Sequence, residues 1–134
     1  MAIQLNLSKA IELKVQDIFN GVYLLPIRVQ FCHHLTTSYA EHKALDGAYD
    51  TLNDLKDAIV EKLIGYGVPK FQKLELGSIS GFSAAMPIQV AKEILKFGKD
   101  LEQYAENNEF CDIENLAQEY SGAGAQLVYL LGLS

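Results

Sequence analysis

Apolar residues recur every three or four positions along most of the chain, which is the spacing of amphipathic helices. In the first such stretch Ser8 is a candidate N-cap, and the apolar series is Ile11, Val15, Ile18, Val22, Leu25 and Val29. A second apolar set lies roughly on the opposite side of this helix and consists of Leu13, Leu24, Phe31 and Leu35. A helix that is apolar on two sides is buried on two sides, so the pattern predicts contact with a second copy.

The same period returns in three later stretches. The second helix is predicted to begin at Ser38, whose spacing to Glu41 is that of a capping box, and to end at residues 65–69, "GYGVP". A third helix is predicted over residues 87–106, with proline at its favourable first position. Asp112 is predicted to cap a fourth helix, which carries Ile113, Leu116, Tyr120, Leu127, Leu130 and Leu131.

The connection between the second and third helices is unusually long. Residues 68–85 contain Gly, Ser and Pro without a sustained period, and few structureless connections in compact domains reach this length. Such a segment can cross the length of a bundle. Two short connections and one long central crossover predict an all-α, ferritin-like four-helix bundle that forms a single domain over residues 1–134.

Composition and charge narrow the classes of function. The chain is 49% hydrophobic and 21% charged, with a net charge of −6, which is ordinary for a globular protein. It has no basic stripe or Lys-rich tail, so we expect no nucleic-acid partner. No apolar run is long enough for a membrane span, and no secretion signal is visible, so we expect a cytoplasmic protein. Cys32 and Cys111 have no metal-binding spacing and are expected to be reduced thiols.

The candidate chemistry lies on the second helix and just before it. All three histidines of the chain fall between His33 and His42, and carboxylates follow at helical spacing. His42, Asp46, Asp57 and Glu61 share an arc of about 100° beside the core face of the helix. Asp46 and Asp57 are separated by about 16 Å along the axis, so these residues cannot form one site within one chain.

These four residues form two pairs with the same midpoint along the helix: His42 with Glu61, and Asp46 with Asp57. An antiparallel copy across a two-fold axis would place Asp46 opposite Asp57 of the copy, and His42 opposite its Glu61. Imidazole combined with carboxylates suits ferrous iron or zinc better than a thiol-seeking metal. An ordinary solvated face is the alternative interpretation, because the acidic run is longer than the four-residue pattern and consists of Asp46, Asp50, Asp54, Asp57 and Glu61.

The stretch from His33 to Glu61, H-x8-H-x-x-L-D-x-x-Y-D-x-L-x-D-x-x-D-x-x-V-E, resembles the metal-site signature of the Dps family, the mini-ferritins. The resemblance implies that His33, His42 and Asp46 of one chain bind ferrous iron together with Asp57 and Glu61 of a neighbour. It also implies ferroxidase activity, usually with hydrogen peroxide, in a homodimer or a hollow dodecamer that stores ferric mineral. Zinc is the substitute ion that the same ligands would accept.

The chain departs from the family pattern near the first histidine. The spacing from His33 to His42 is shorter than in the family, and His34 stands where the family usually has Trp. His34 and Cys32 therefore stay open as alternatives to His33, although a buried core thiol is the simpler interpretation of Cys32. These departures motivate a second hypothesis, a ferritin-like bundle without ferroxidase activity that acts as a structural or interaction module.

Overall fold

Four α-helices and no strands make up the part of the chain that the computed structural model describes, residues 13–133. They are α1 (Val15–Leu35), α2 (Tyr39–Gly65), α3 (Met86–Asn107) and α4 (Cys111–Gly132). The prediction of an all-α four-helix bundle is thereby confirmed. The predicted cap Ser8 and the first apolar position, Ile11, lie outside the described residues.

Contacts between the helices give their directions. Gly21 of α1 lies against the ring of Phe97 of α3, and further along α1 Arg28 forms a salt bridge of 2.9 Å with Glu93. The contacts run backward along α3 as they run forward along α1, so these two helices are antiparallel. Lys62 near the end of α2 lies 3.8 Å from Asp112 at the start of α4, so these two are antiparallel as well. Short turns join α1 to α2 and α3 to α4. The chain from α2 to α3 therefore returns along the length of the bundle, which is the long crossover that the sequence predicts.

The crossover, residues 66–85, packs along the outside of α1. The ring of Phe71 lies 4.7 Å from that of Phe19, and the ring of Phe82 lies 6.5 Å from that of Phe31, centroid to centroid. The crossover thus covers part of the second apolar side of α1 within the same chain. This side does not by itself require a second copy, although Leu35 remains 46% exposed.

The sequence predicts the C-terminus of α2 correctly but not the N-terminus of α4. Gly67, with φ of 93°, follows the end of α2, and the N–H of Val68 donates to the carbonyl of Leu63 at 3.0 Å, as in a Schellman motif. The prediction that Asp112 caps α4 is wrong, because Phe110 occupies the N-cap and Asp112 lies in the first turn. The N–H of Phe110 still donates back to α3, so the chain enters α4 directly from the turn.

The core lies between the four helices and is almost entirely apolar. α3 and α4 approach most closely at small residues, and a Cβ on Gly98 would collide with the backbone of Ser121. The largest completely buried side chains include Phe19, Leu45, Leu52, Ile59, Leu63, Ile94, Leu101, Ile113, Tyr120 and Leu127. Four of these side chains belong to α2, the helix that carries most of the candidate ligands.

Candidate metal site at the junction of α1 and α2

The turn that joins α1 to α2 holds two histidines together. His33 lies in the last turn of α1, and His42 lies in the first turns of α2. Ser38 caps α2, because its Oγ accepts the N–H of Glu41 at 3.2 Å. The other half of the predicted capping box is replaced: the Glu41 carboxylate accepts the hydroxyl of Thr36 at 2.6 Å. Side-chain hydrogen bonds therefore hold the turn at both of its ends.

The rings of His33 and His42 stack, with centroids 3.9 Å apart and planes 21° from parallel. Nδ1 of His33 lies 3.0 Å from the carbonyl oxygen of His42, and Nδ1 of His42 lies 3.0 Å from the carbonyl oxygen of His33. A carbonyl oxygen only accepts hydrogen bonds, so each Nδ1 must carry a proton. In the neutral rings both Nε2 atoms then keep a free lone pair, which is the form that binds metals.

Asp46 lies one turn further along α2. Its Oδ1 is 4.0 Å from Nε2 of His33, and its side chain is 53% exposed. This distance is too long for a hydrogen bond. With metal–ligand bonds of about 2.1 Å each, the two atoms would bind one ion at a wide angle, so joint binding requires the exposed Asp46 side chain to move closer to His33. The ligand chemistry of His33 and Asp46 therefore fits a divalent metal.

His34 and Cys32 are placed differently from His33. His34 is exposed, and its ring centroid lies 5.3 Å from that of His33. Cys32 is completely buried in the core. Burial raises the pKa of its thiol to about 11, partly offset by the Arg28 guanidinium, so the thiolate that a metal requires is disfavoured. Of the three alternatives, His33 is the one that stacks on His42 and approaches Asp46.

Asp57 and Glu61 are exposed on the distal half of α2 and do not join this group within one chain. Glu61 borders an open pocket with Lys62, Tyr66 and Asp112. Among residues 13–133 no three His, Cys, Asp or Glu side chains of a single copy are grouped so that they could hold a metal ion. One copy thus brings His33, His42 and, more loosely, Asp46 together, and it leaves Asp57 and Glu61 apart.

Sequence reasoning missed one residue of this site. The ring of Tyr39 lies nearly parallel to that of His42, with centroids 6.4 Å apart, and the Tyr39 side chain is 75% exposed. The available signal was its position three residues before His42, which places both on one face of a helix. Tyr39 therefore forms an exposed outer wall of the histidine pair.

The comparisons with known proteins give a family but no activity. Residues 33–131 match the model of a family described as a family of unknown function, DUF5856. No curated protein and no solved structure matches the chain. None of the helices in the described part of the chain is long and apolar enough to cross a membrane. The matched stretch begins at His33 and contains His33, His42, Asp46, Asp57 and Glu61.

Proposed function

The chain belongs to the DUF5856 family, since the match covers most of its length. From the geometry of the histidine pair we propose that it binds and oxidises ferrous iron as Dps-like proteins do. His33, His42 and Asp46 of one copy and Asp57 and Glu61 of a second copy hold the iron. The observation that carries the proposal is the stacked pair of His33 and His42, in which each ring is held by a hydrogen bond to the carbonyl oxygen of the other residue. Both Nδ1 atoms are bonded to carbonyl oxygens, which leaves both Nε2 atoms for a metal.

The surroundings of the histidine pair support a cation. Metal-binding histidines usually donate their second ring N–H to a carbonyl or carboxylate, which fixes the ring and raises its basicity. His33 also lies at the C-terminal end of α1, where the helix dipole is negative and favours positive charge. A mixed set of imidazole and carboxylate ligands suits ferrous iron, with zinc as a substitute.

The acidic face of α2 supports sharing of the site between two copies. An antiparallel contact of α2 with its own copy pairs Asp46 with Asp57 of the copy, and His42 with its Glu61. The carboxylates of this face are exposed, so the contact would bring many negative charges together. Bound cations remove that repulsion. We therefore expect association through α2 to require the metal.

The reaction consumes iron as a substrate and requires no organic cofactor. Two ferrous ions each lose one electron, and one hydrogen peroxide molecule takes up these two electrons and two protons to give two waters. The carboxylates stabilise the ferric product, because hard oxygen ligands favour the higher charge. Storage of ferric mineral in the cytoplasm would further require a closed shell such as a dodecamer, which light scattering of the iron-loaded protein tests.

A ferrous-oxidation assay with peroxide tests the proposal. Asp57→Ala/Glu61→Ala is expected to lose the oxidation that exceeds the protein-free background. Glu106→Ala/Glu109→Ala removes two exposed carboxylates that lie outside α2 and serves as the matched control, which is expected to retain the wild-type rate. Equal rates in the wild type and in Asp57→Ala/Glu61→Ala would sink the assignment.

Mixing two inactive variants tests whether the site is shared. His33→Ala/His42→Ala keeps the distal carboxylates, and Asp57→Ala/Glu61→Ala keeps the histidines. In a mixed dimer one of the two sites is then complete. Since half of the dimers are mixed, an equimolar mixture is expected to recover about a quarter of the wild-type activity. A site built within one chain would recover none.

The second candidate function is a bundle without ferroxidase activity that serves as a structural or interaction module. The reciprocal hydrogen bonds of His33 and His42 favour it, because they join α1 to α2 without any metal. Crystals soaked in iron or zinc discriminate the two functions by anomalous scattering at the absorption edge of the metal. Absence of a bound ion at the Nε2 atoms of His33 and His42 would favour the structural module.

A further inference from the structure

An apolar groove runs between α2 and α4, on a different side of α2 from the histidine pair. It has a volume of about 470 Å³, and its walls include Ala44, Gly47, Ala48, Ala123 and Leu127. Lys43 and Glu119 are the charged residues that line it. Small side chains on both helices keep the groove open, so the backbone of another helix can approach closely.

Two glycines beside the groove, Gly47 and Gly122, have no packing explanation within the chain, unlike the glycines between α3 and α4. Gly98 and Gly124 lie where a Cβ would collide with a neighbouring helix. Gly47 and Gly122 also lie inside helices, but nothing lies within 4 Å of the position that a Cβ would take. Glycine inside a helix costs stability relative to alanine. A close external contact at Gly47 and Gly122 would account for that cost.

The outer surface of α4 next to the groove is uncharged. Residues 120–133 contain no Asp, Glu, Lys, Arg or His. Large side chains are nevertheless exposed to solvent in this stretch: Tyr129 is 61% exposed and Leu133 is 68% exposed. By contrast, the outer face of α2 carries a row of exposed carboxylates. An exposed helix face with this composition is typical of a protein–protein contact.

We propose that α4 of a second copy occupies the groove between α2 and α4, and that the contact is reciprocal. A two-fold axis between the α4 helices of two copies places each α4 over the groove of the other chain. The same symmetry operation therefore covers the groove and the uncharged face of α4 in both copies. The charges favour this occupant. The chain is acidic overall, and the uncharged half of α4 can approach a second acidic copy without repulsion.

This interface is independent of the proposed iron site, because it uses a different side of α2 and contains no metal ligand. It forms without metal, whereas the contact through the acidic face of α2 requires a cation. Two different two-fold contacts on one chain generate assemblies larger than a dimer. Added iron is therefore expected to convert the metal-free dimer into a larger species.

Sedimentation equilibrium in a chelator tests the interface. The wild type is expected to sediment at twice the chain mass of 14.8 kDa. Gly47→Leu and Gly122→Leu place a bulky side chain where the monomer has open space, and leucine favours helix more than glycine does. Both variants are expected to stay folded by circular dichroism and to sediment as monomers.

Gly65→Leu is the matched control, because Gly65 ends α2 away from the groove and also has open space around it. It is expected to remain a dimer. A monomeric wild type would overturn the proposal and leave the groove to a different partner. Dimers that persist in both Gly47→Leu and Gly122→Leu, or that are lost equally in Gly65→Leu, would overturn it as well.

Discussion

Gly124 of α4 lies against the backbone of α3 at Leu95. A Cβ on Gly124 would lie 2.5 Å from the backbone nitrogen of Leu95, which is closer than real Cβ atoms approach. Backbone atoms cannot move aside as the end of a flexible side chain can. The close packing of α3 on α4 therefore depends on the absence of a side chain at this position.

Gly124→Ala is expected to lower the free energy of unfolding by about 1–3 kcal/mol, because the added methyl group must separate two well-packed helices. Equilibrium urea denaturation measures the change. Gly65→Ala is the control, since a Cβ on Gly65 meets nothing within 4 Å. Unchanged or increased stability of Gly124→Ala would show that α3 and α4 do not pack in this way.

The stacked pair of His33 and His42 is expected to stabilise the junction of α1 and α2 in the absence of metal. A double-mutant cycle of His33→Ala and His42→Ala in chelator, followed by urea denaturation, isolates the interaction between the two rings. We expect a coupling energy of about 0.5–3 kcal/mol, the range for residues in direct contact. The same cycle on His34 and His42 is the control and is expected to give a value near zero.

The two cysteines are expected to differ sharply in reactivity. Cys111 is exposed, whereas Cys32 is buried and its pKa is raised to about 11 by that burial. Only the thiolate attacks a disulfide reagent, so one thiol per native chain is expected to react rapidly and two after unfolding. Cys111→Ser is expected to abolish the rapid reaction. A rapid reaction that survives in Cys111→Ser would mean that Cys32 is accessible.

Much of the fold could be predicted because its signals are local. The Ser38 cap, the glycines at the end of α2 and the apolar series of α1 depend on neighbours within a few residues. Asp112 shows where this fails: its position before an apolar series suggested a cap, but the turn that leaves α3 brings Phe110 into that place. The N–H of Phe110 donates to the carbonyl of Ala105 and closes the end of α3, and Glu109 adopts the positive φ of 60° where glycine is usual. This helix end therefore lacks the glycine that would reveal it in the sequence.

The candidate site was predictable only in its ligand types and their spacing. Helical phase favoured His33 over His34 without settling the choice, because Pro26 inside α1 disturbs the phase between the apolar stripe and the histidines. The stacking on His42 and the paired hydrogen bonds to carbonyl oxygens decide it in favour of His33. The pairing with Asp57 and Glu61 of a second copy stays a prediction, because it depends on contacts outside one chain.

Tyr120 is completely buried, and its hydroxyl has no hydrogen-bond partner among the described residues. Burial raises the pKa of this phenol above its ordinary value of 10.0. Tyr120→Phe removes an unsatisfied polar group and is expected to raise the free energy of unfolding at neutral pH by ~1 kcal/mol. Tyr129→Phe, at an exposed position, is the control and is expected to change little.

The advantage of Tyr120→Phe is expected to grow in alkali. Below pH 10 the Tyr120 phenol is protonated in both the folded and the unfolded chain, so pH does not affect its contribution. Above that pH the unfolded chain ionises first, which stabilises it and lowers the stability of the wild type as the pH rises. The phenylalanine variant lacks this loss. Urea denaturation at neutral pH and above pH 10 measures the difference, and a variant less stable than the wild type at neutral pH would show that the hydroxyl has a favourable partner such as a buried water.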